Sequence, residues 1–145
     1  MLFSLVPPLI LGFLAGLSPS IFPQSIGGDH EAILNFNGSN AGDNFGWSVA
    51  NAGDLDGDGL DDLVVGADQA SPGGRFQAGK VFVFSSSDGG LLLDFEGSFA
   101  GDRFGHSVAG AGDIDGDGIP DILVGAPFAS PGGNYAGGSA HLFSG

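Results

Sequence analysis

The sequence predicts an all-β protein assembled from repeated four-stranded sheets, and three observations predict it. Sliding the chain against itself gives one dominant register at an offset of 59 residues, in which 31 of the 53 pairs from Leu34/Leu93 to Ser86/Gly145 are identical. Such self-similarity marks a repeat architecture before any element is assigned. No segment has a convincing helical period, whereas short runs rich in Val, Phe and Leu recur between Gly, Pro and Asp clusters, the pattern of strands and tight turns. Gly and Pro together supply 37 of 145 residues, and 23 of the 29 glycines fall in the two aligned blocks. Periodic glycine at that level reads as β connections; an aperiodic excess would read as low complexity.

Within a repeat the elements follow in order. Trp47 to Ala52 and Leu60 to Val65 read as two strands joined by an Asp/Gly loop, and Lys80 to Phe84 and Leu91 to Phe95 read as two more, bounded by Ser-Pro-Gly-Gly and Ser-Asp-Gly-Gly. Ala32 to Phe36 matches the fourth strand, so the chain starts on a fourth-type strand and stops at Phe143 after the third strand of its second unit. That gives eight strands in permuted order. Four antiparallel strands per unit make a β-propeller blade, and rings typically close with 4–8 blades. About two blades are present, in units 34–92 and 93–145. They are expected to be part of a larger propeller, or to complete an oligomeric ring in which each chain lends its first strand to a neighbour; a truncated gene fragment is the remaining reading.

Residues 1–28 carry no charged side chain, and Leu2 to Phe22 is almost wholly apolar, interrupted by Pro7, Pro8 and Pro19. Followed by Ala15, Gly16, Ser18 and Ser20, this stretch reads as a signal peptide or apolar leader, although a basic start is missing. It predicts export to the extracellular space or cell surface. An N-terminal membrane anchor is the rival, with Gly12 and Gly16 forming a G-x-x-x-G, but the tandem prolines argue against a regular spanning helix.

The remainder, 29–145, is strongly acidic. Seventeen acidic residues face only Arg75, Lys80 and Arg103, for a net charge of −14, which makes nucleic acid and anionic membranes poor partners. There is no cysteine, which excludes disulfides, thiolate metal sites and a Cys nucleophile.

Eight of the acidic residues lie in two copies of Asp-x-Asp-Gly-Asp-Gly-x-x-Asp: Asp54, Asp56, Asp58 and Asp62, then Asp113, Asp115, Asp117 and Asp121. Four carboxylates within nine residues repel one another unless a cation sits among them. Carboxylates at positions 1, 3, 5 and 9, with the carbonyls of Leu60 and Ile119 at position 7, form a loop that wraps a hard ion, and Gly59 and Gly118 permit the sharp turn. The oxygen-only donor set ranks Ca²⁺ ahead of magnesium and zinc, giving two expected sites. Position 12 is Val65 or Val124, where an EF-hand requires a bidentate Glu, so the loop belongs to a β-hairpin.

Ala-Gly-Asp-x-Phe-Gly-x-Ser-Val-Ala, the Asp loop, Val-Gly-Ala-Pro and a Gly-rich link into Phe-Ser together resemble the FG-GAP repeats of integrin alpha subunits and of many secreted bacterial proteins. The resemblance covers about residues 29–145. It implies a seven-bladed propeller in which Phe45-Gly46 and Phe104-Gly105 open the first strand of each blade and Gly125-Ala126-Pro127 closes the second. The first unit departs from this with Gly66-Ala67-Asp68, which is expected to loosen the turn and leave Asp68 solvated.

Other chemistry is weaker. Gly105-His106-Ser107-Val108-Ala109 approximates a hydrolase nucleophile elbow, but the last Gly is replaced and no helix follows. His30, His106 and His141 occupy unrelated repeat positions and read as surface or packing residues; Trp47, Phe76, Phe128 and Tyr135 read as blade packing in preference to a binding surface. The sequence therefore predicts a calcium-binding propeller segment that serves adhesion or protein interaction as a scaffold, binds a protein or glycan ligand, and catalyses nothing. The second reading is an accessory propeller part of an extracellular hydrolase or lyase.

Overall fold

A computed structural model describes residues 32–145, and the leader expected over 1–28 and His30 lie outside them. Seven strands are present among the described residues: β1 (Phe45–Gly53), β2 (Asp62–Ala67), β3 (Lys80–Phe84), β4 (Leu91–Glu96), β5 (Ser107–Gly112), β6 (Asp121–Ala126) and β7 (Ser139–Phe143). They form two antiparallel sheets, β1-β2-β3-β4 and β5-β6-β7, here called blade 1 and blade 2. Apart from two single 3-10 turns at Pro72–Gly74 and Pro131–Gly133, there is no helix among the described residues.

The strand pattern follows from side chains with period two. Along β3, Val81 and Val83 are buried on one face. Phe82 and Phe84 point to the other, where both rings meet Phe45 at 5.5 and 6.1 Å. In β2 the register Val64↔Val83 places Val64 on the first face. That face of blade 1 packs against Ile122, Val124 and Ala126 of β6 and against Phe104, so the principal core is the seam between blades. A single blade has no interior of its own, which is why repeat units need neighbours.

The seam is also tied by polar contacts. Ser48 Oγ donates to the Gly105 carbonyl at 2.7 Å, and the Phe104 amide donates to the Ala78 carbonyl at 2.9 Å, beside a parallel bridge between Gly79 and Phe104. Gly66 is required here: a Cβ on it would run into the Gly105 carbonyl and Ser48 Oγ.

Four expectations are corrected. The second strand begins at Asp62 and ends at Ala67, two residues later than expected, because Leu60 and Asp61 belong to the Asp loop. In blade 2 the first strand starts at Ser107; Phe104 sits in the seam, nearly buried, as a core side chain. Ala32 to Phe36 is not a strand, leaving seven and not the expected eight among the described residues. The fourth correction concerns Asp68, which is fully buried where solvation was expected.

Candidate metal centre

Each Asp loop closes the first hairpin of its blade, between β1 and β2 or between β5 and β6. In blade 1 the carboxylate of Asp54 folds back over the loop: Oδ1 accepts from the Gly57 and Asp58 amides at 2.8 and 3.0 Å, and Oδ2 accepts from the Gly59 amide at 2.9 Å. Asp56 Oδ1 accepts from the Asp58 amide at 3.0 Å and Asp58 Oδ1 from the Leu60 amide at 2.8 Å. Gly59 holds φ +89°, a conformation that a side chain would strain. Blade 2 repeats the arrangement, with Asp113 accepting from Gly116, Asp117 and Gly118 at 2.6, 3.1 and 2.9 Å, Asp115 from Asp117 at 3.2 Å and Asp117 from Ile119 at 2.8 Å.

Two groups of three carboxylates result. In Asp54/Asp56/Asp58 and in Asp113/Asp115/Asp117, one oxygen from each residue lies within 4.8 Å of the others. Two calcium–oxygen bonds of about 2.3–2.6 Å span roughly 4.6–5.2 Å, so a single hard cation reaches all three oxygens of a group. The donors are all oxygen, and both groups lie open to solvent, which gives an ion a way in.

Asp62 and Asp121, the position-nine residues, are placed differently. Both are buried, and neither is among the three. Asp62 Oδ2 accepts from the Leu55 amide at 2.9 Å and Oδ1 from the Ser86 amide at 3.3 Å; Asp121 accepts from Ile114 at 2.7 Å and Gly145 at 3.3 Å. These carboxylates fasten the loop to the end of the third strand. A carboxylate has about four lone-pair sites, so two such bonds leave capacity for an ion. Leu60 and Ile119 sit on the loop with their amides committed to Asp58 and Asp117.

A second polar cluster, which spacing did not reveal, spans the blades. Buried Asp68 accepts from His106 Nδ1 at 2.9 Å and from Asn44 Nδ2 at 3.4 Å, with the Arg103 guanidinium 3.9 Å away. The His106 ring lies 5.5 Å from Trp47. The only sequence signal was a paired departure from the repeat: Asp68 stands where the second unit has Pro127, and His106 where the first has Trp47. Trp47, Phe76, Phe128 and Tyr135, expected to pack blades, are largely exposed, with Arg103 lying 5.2 Å over the Phe128 ring. His141 lies at the surface on β7, where Nε2 meets Ser139 Oγ at 2.8 Å. Ser107 opens strand β5 with no helix behind it, so no elbow forms.

Paired four-stranded and three-stranded antiparallel sheets, stacked face to face and each carrying a carboxylate loop, define a β-propeller repeat protein. The FG-GAP repeat model matches residues 45–84 and 104–143, and the chain belongs to that family. It is 42% identical to integrin alpha-PS5 of Drosophila melanogaster over 103 residues, which is 67% of this chain and 10% of the relative. It is 43% identical to human integrin alpha-IIb over 88 residues, 57% of this chain and 8% of the relative. It is also 40% identical to phosphatidylinositol-glycan-specific phospholipase D of Rattus norvegicus over 111 residues, 69% of this chain and 13% of the relative. The chain spans about a tenth of the length of these curated relatives.

Proposed function

We propose that this chain is a calcium-braced pair of propeller blades, exported to the extracellular space or cell surface, where it presents loops to a protein or glycan ligand and carries out no catalytic step. The observation that carries the metal reading is the recurrence of one three-carboxylate group at the same hairpin of both blades. In each loop Asp54, Asp56 and Asp58, or Asp113, Asp115 and Asp117, would hold the ion, with the Leu60 or Ile119 carbonyl and Asp62 or Asp121 completing the set. Bound calcium supplies positive charge where the chain concentrates negative charge; two ions take the net charge from −14 to −10. The chain's own part is to hold the loop: amides of positions 4 to 7 fix the carboxylates in place before any ion arrives. Loops on such a frame make a binding surface of low conformational cost.

The adhesive role is supported by similarity to integrin alpha chains, and export by the uncharged apolar leader. Association of copies to complete a propeller belongs to the same reading. The accessory-enzyme reading is favoured by one observation, the 40% identity to the phospholipase D over 69% of the chain.

Calorimetric titration tests the metal reading. Two calcium equivalents are expected to bind, with dissociation constants of roughly 10⁻⁴ to 10⁻³ M for a module of this kind. Free calcium at ten times that constant stabilises by about 1.4 kcal/mol per site. The melting temperature therefore falls on adding a chelator, and Asp113→Ala removes one equivalent. A melting curve indifferent to chelator would overturn the calcium assignment.

A further inference from the structure

Arg103 stands apart from the other two cations of the chain. Arg75 and Lys80 are bridged to Glu96 and Asp94, whereas the Arg103 guanidinium makes no hydrogen bond among the described residues. Its nearest acid, Asp68, is 3.9 Å away and takes its hydrogen bonds from His106 and Asn44. We propose that Arg103 anchors a binding site for a hexuronic acid, a sugar ring that carries one carboxylate. The assignment rests on the reading of the chain as a scaffold for a glycan ligand; it is independent of calcium, of assembly and of any residue outside 44–136.

Three observations locate the site. Arg103 opens onto a cleft of about 350 Å³ between the blades, walled by Gln77 from the β2–β3 connection, Asp102 from the β4–β5 connection, and Phe128, Ser130 and Tyr135 from the β6–β7 connection. The guanidinium lies 5.2 Å over the Phe128 ring, which steadies it while its N–H donors stay unspent. The second observation is backbone strain. Four non-glycine residues hold positive φ among those described, Asn44 (+55°), Gln77 (+50°), Arg103 (+53°) and Ala136 (+48°), and the last three line this cleft. Asn tolerates that conformation better than Gln, Arg or Ala, and strain of this kind collects at functional sites. The third is the difference between the repeats: at the positions of Arg103 and Phe128 the first unit has Asn44 and Gln69. The cation and its aromatic shelf occur together, at one of the two copies.

The lining selects the ligand. A guanidinium fork receives a carboxylate in two parallel hydrogen bonds. A more highly charged anion fits poorly, because Asp102 lines the same cleft and the chain carries −14. Asp102 suits hydroxyl groups, which donate to it. Gln77 donates through Nε2 to Gln69 at 3.1 Å and keeps its own carbonyl oxygen; Ser130 Oγ accepts from the Ala136 amide at 3.1 Å and keeps its proton. The C–H face of a sugar rests on the negative face of an aromatic ring, and Tyr135, 95% exposed, offers one. An acidic side chain of a protein would use the guanidinium and leave the rest idle. The volume lies at the small end of ligand pockets, which fits one ring.

Tyr135 is the only tyrosine of the chain, so its ring NMR signals report this cleft directly. The full chain, purified in calcium, is titrated with methyl β-glucuronide, methyl α-galacturonide, methyl β-glucoside and acetate. At least one uronide is expected to shift the Tyr135 signals saturably, with the glucoside and acetate binding at least about tenfold more weakly. Arg103→Asn copies Asn44, which holds the same φ, and Phe128→Gln copies Gln69; melting curves check that both variants fold. Arg103→Asn is expected to weaken the uronide at least about tenfold and to leave the glucoside unchanged, and Phe128→Gln to weaken the uronide by a smaller factor. Tyr135 signals that respond to neither uronide would overturn the proposal and leave a protein ligand standing, as would a uronide that binds Arg103→Asn as it binds the parent. Equal binding of uronide and glucoside overturns the carboxylate assignment alone and keeps the glycan reading. Acetate that matches the uronide overturns the sugar and assigns the cleft to an acidic side chain of a protein partner.

Discussion

Val64 and Leu123 occupy one position in two copies of the same repeat, yet Val64 is fully buried and Leu123 is 42% exposed. The same holds one strand over, where Val83 is buried and Leu142 is 49% exposed. The two residues of each pair are equally apolar and equally placed in their sheets. What differs is that blade 1 has a neighbour on this face and blade 2 has none among the described residues. Burial in such a fold belongs to the junction and not to the unit, so identical repeats contribute unequally according to where they stand.

Substitutions at paired positions can break this comparison. The largest effect is expected from Gly66→Ala, whose Cβ meets the backbone of the next blade at Gly105, a clash that forces the seam apart and costs about 3 kcal/mol. Gly125→Ala meets only Ser107, whose hydroxyl can rotate away, and should cost less than about 1 kcal/mol. Denaturant midpoints of the two variants report the difference, and equal costs would mean that the seam does not set it.

Next in size is Val64→Ala, which removes two buried methyl groups at about 0.8 kcal/mol each plus a cavity term, in total about 2 kcal/mol. Leu123→Ala should cost under about 1 kcal/mol in dilute, dissociated chain. Repeating that measurement as concentration rises sharpens the comparison, since a cost that grows towards that of Val64→Ala reports a covered face.

His106→Ala follows. It takes the nearest hydrogen bond from a buried carboxylate, Asp68, and is expected to lower stability by about 1–2 kcal/mol. His141→Ala, at a surface position of β7, should be close to neutral, and unfolding curves of the two distinguish a seam residue from a surface one.

The smallest effect concerns Lys80, whose ammonium is held above the ordinary lysine pKa chiefly by its hydrogen bond to Asp94, with Glu96 adding to it and partial burial opposing. A raised folded-state value means that its stabilisation is fully present below the unfolded lysine pKa of about 10.4 and is lost as pH rises through the folded value. Lys80→Ser, which copies blade 2 into blade 1, should cost under about 1 kcal/mol at neutral pH and flatten the alkaline limb of the stability profile. An unchanged alkaline limb would assign that loss to other groups.

Much of this was legible in the sequence because it is local. Strand identity follows from alternation in Lys-Val-Phe-Val-Phe, and the carboxylate groups follow from spacing within nine residues that one tight loop brings together. What escaped depends on the neighbouring unit. Asp68 reads as a loosened turn until His106 from the next blade lands on it. Phe104 reads as the start of a strand until the seam claims its ring. Ala32 to Phe36 has the composition of a strand, but composition alone does not set a hydrogen-bond ladder, and the segment takes no strand conformation. The four exposed aromatics failed the opposite way, because hydrophobicity alone does not tell a seam position from a loop tip.

The Asp68–His106 pair has a consequence for how such an array is copied. Tandem units this similar invite misaligned recombination, which adds, drops or reorders blades. An acid on the trailing side of one blade and an imidazole on the leading side of the next make that junction specific: a second copy of the first unit in that place would set Trp47 against Asp68 and bury a carboxylate beside an indole. The two blades are thereby addressed to each other, and their order is written into the seam as well as into the gene.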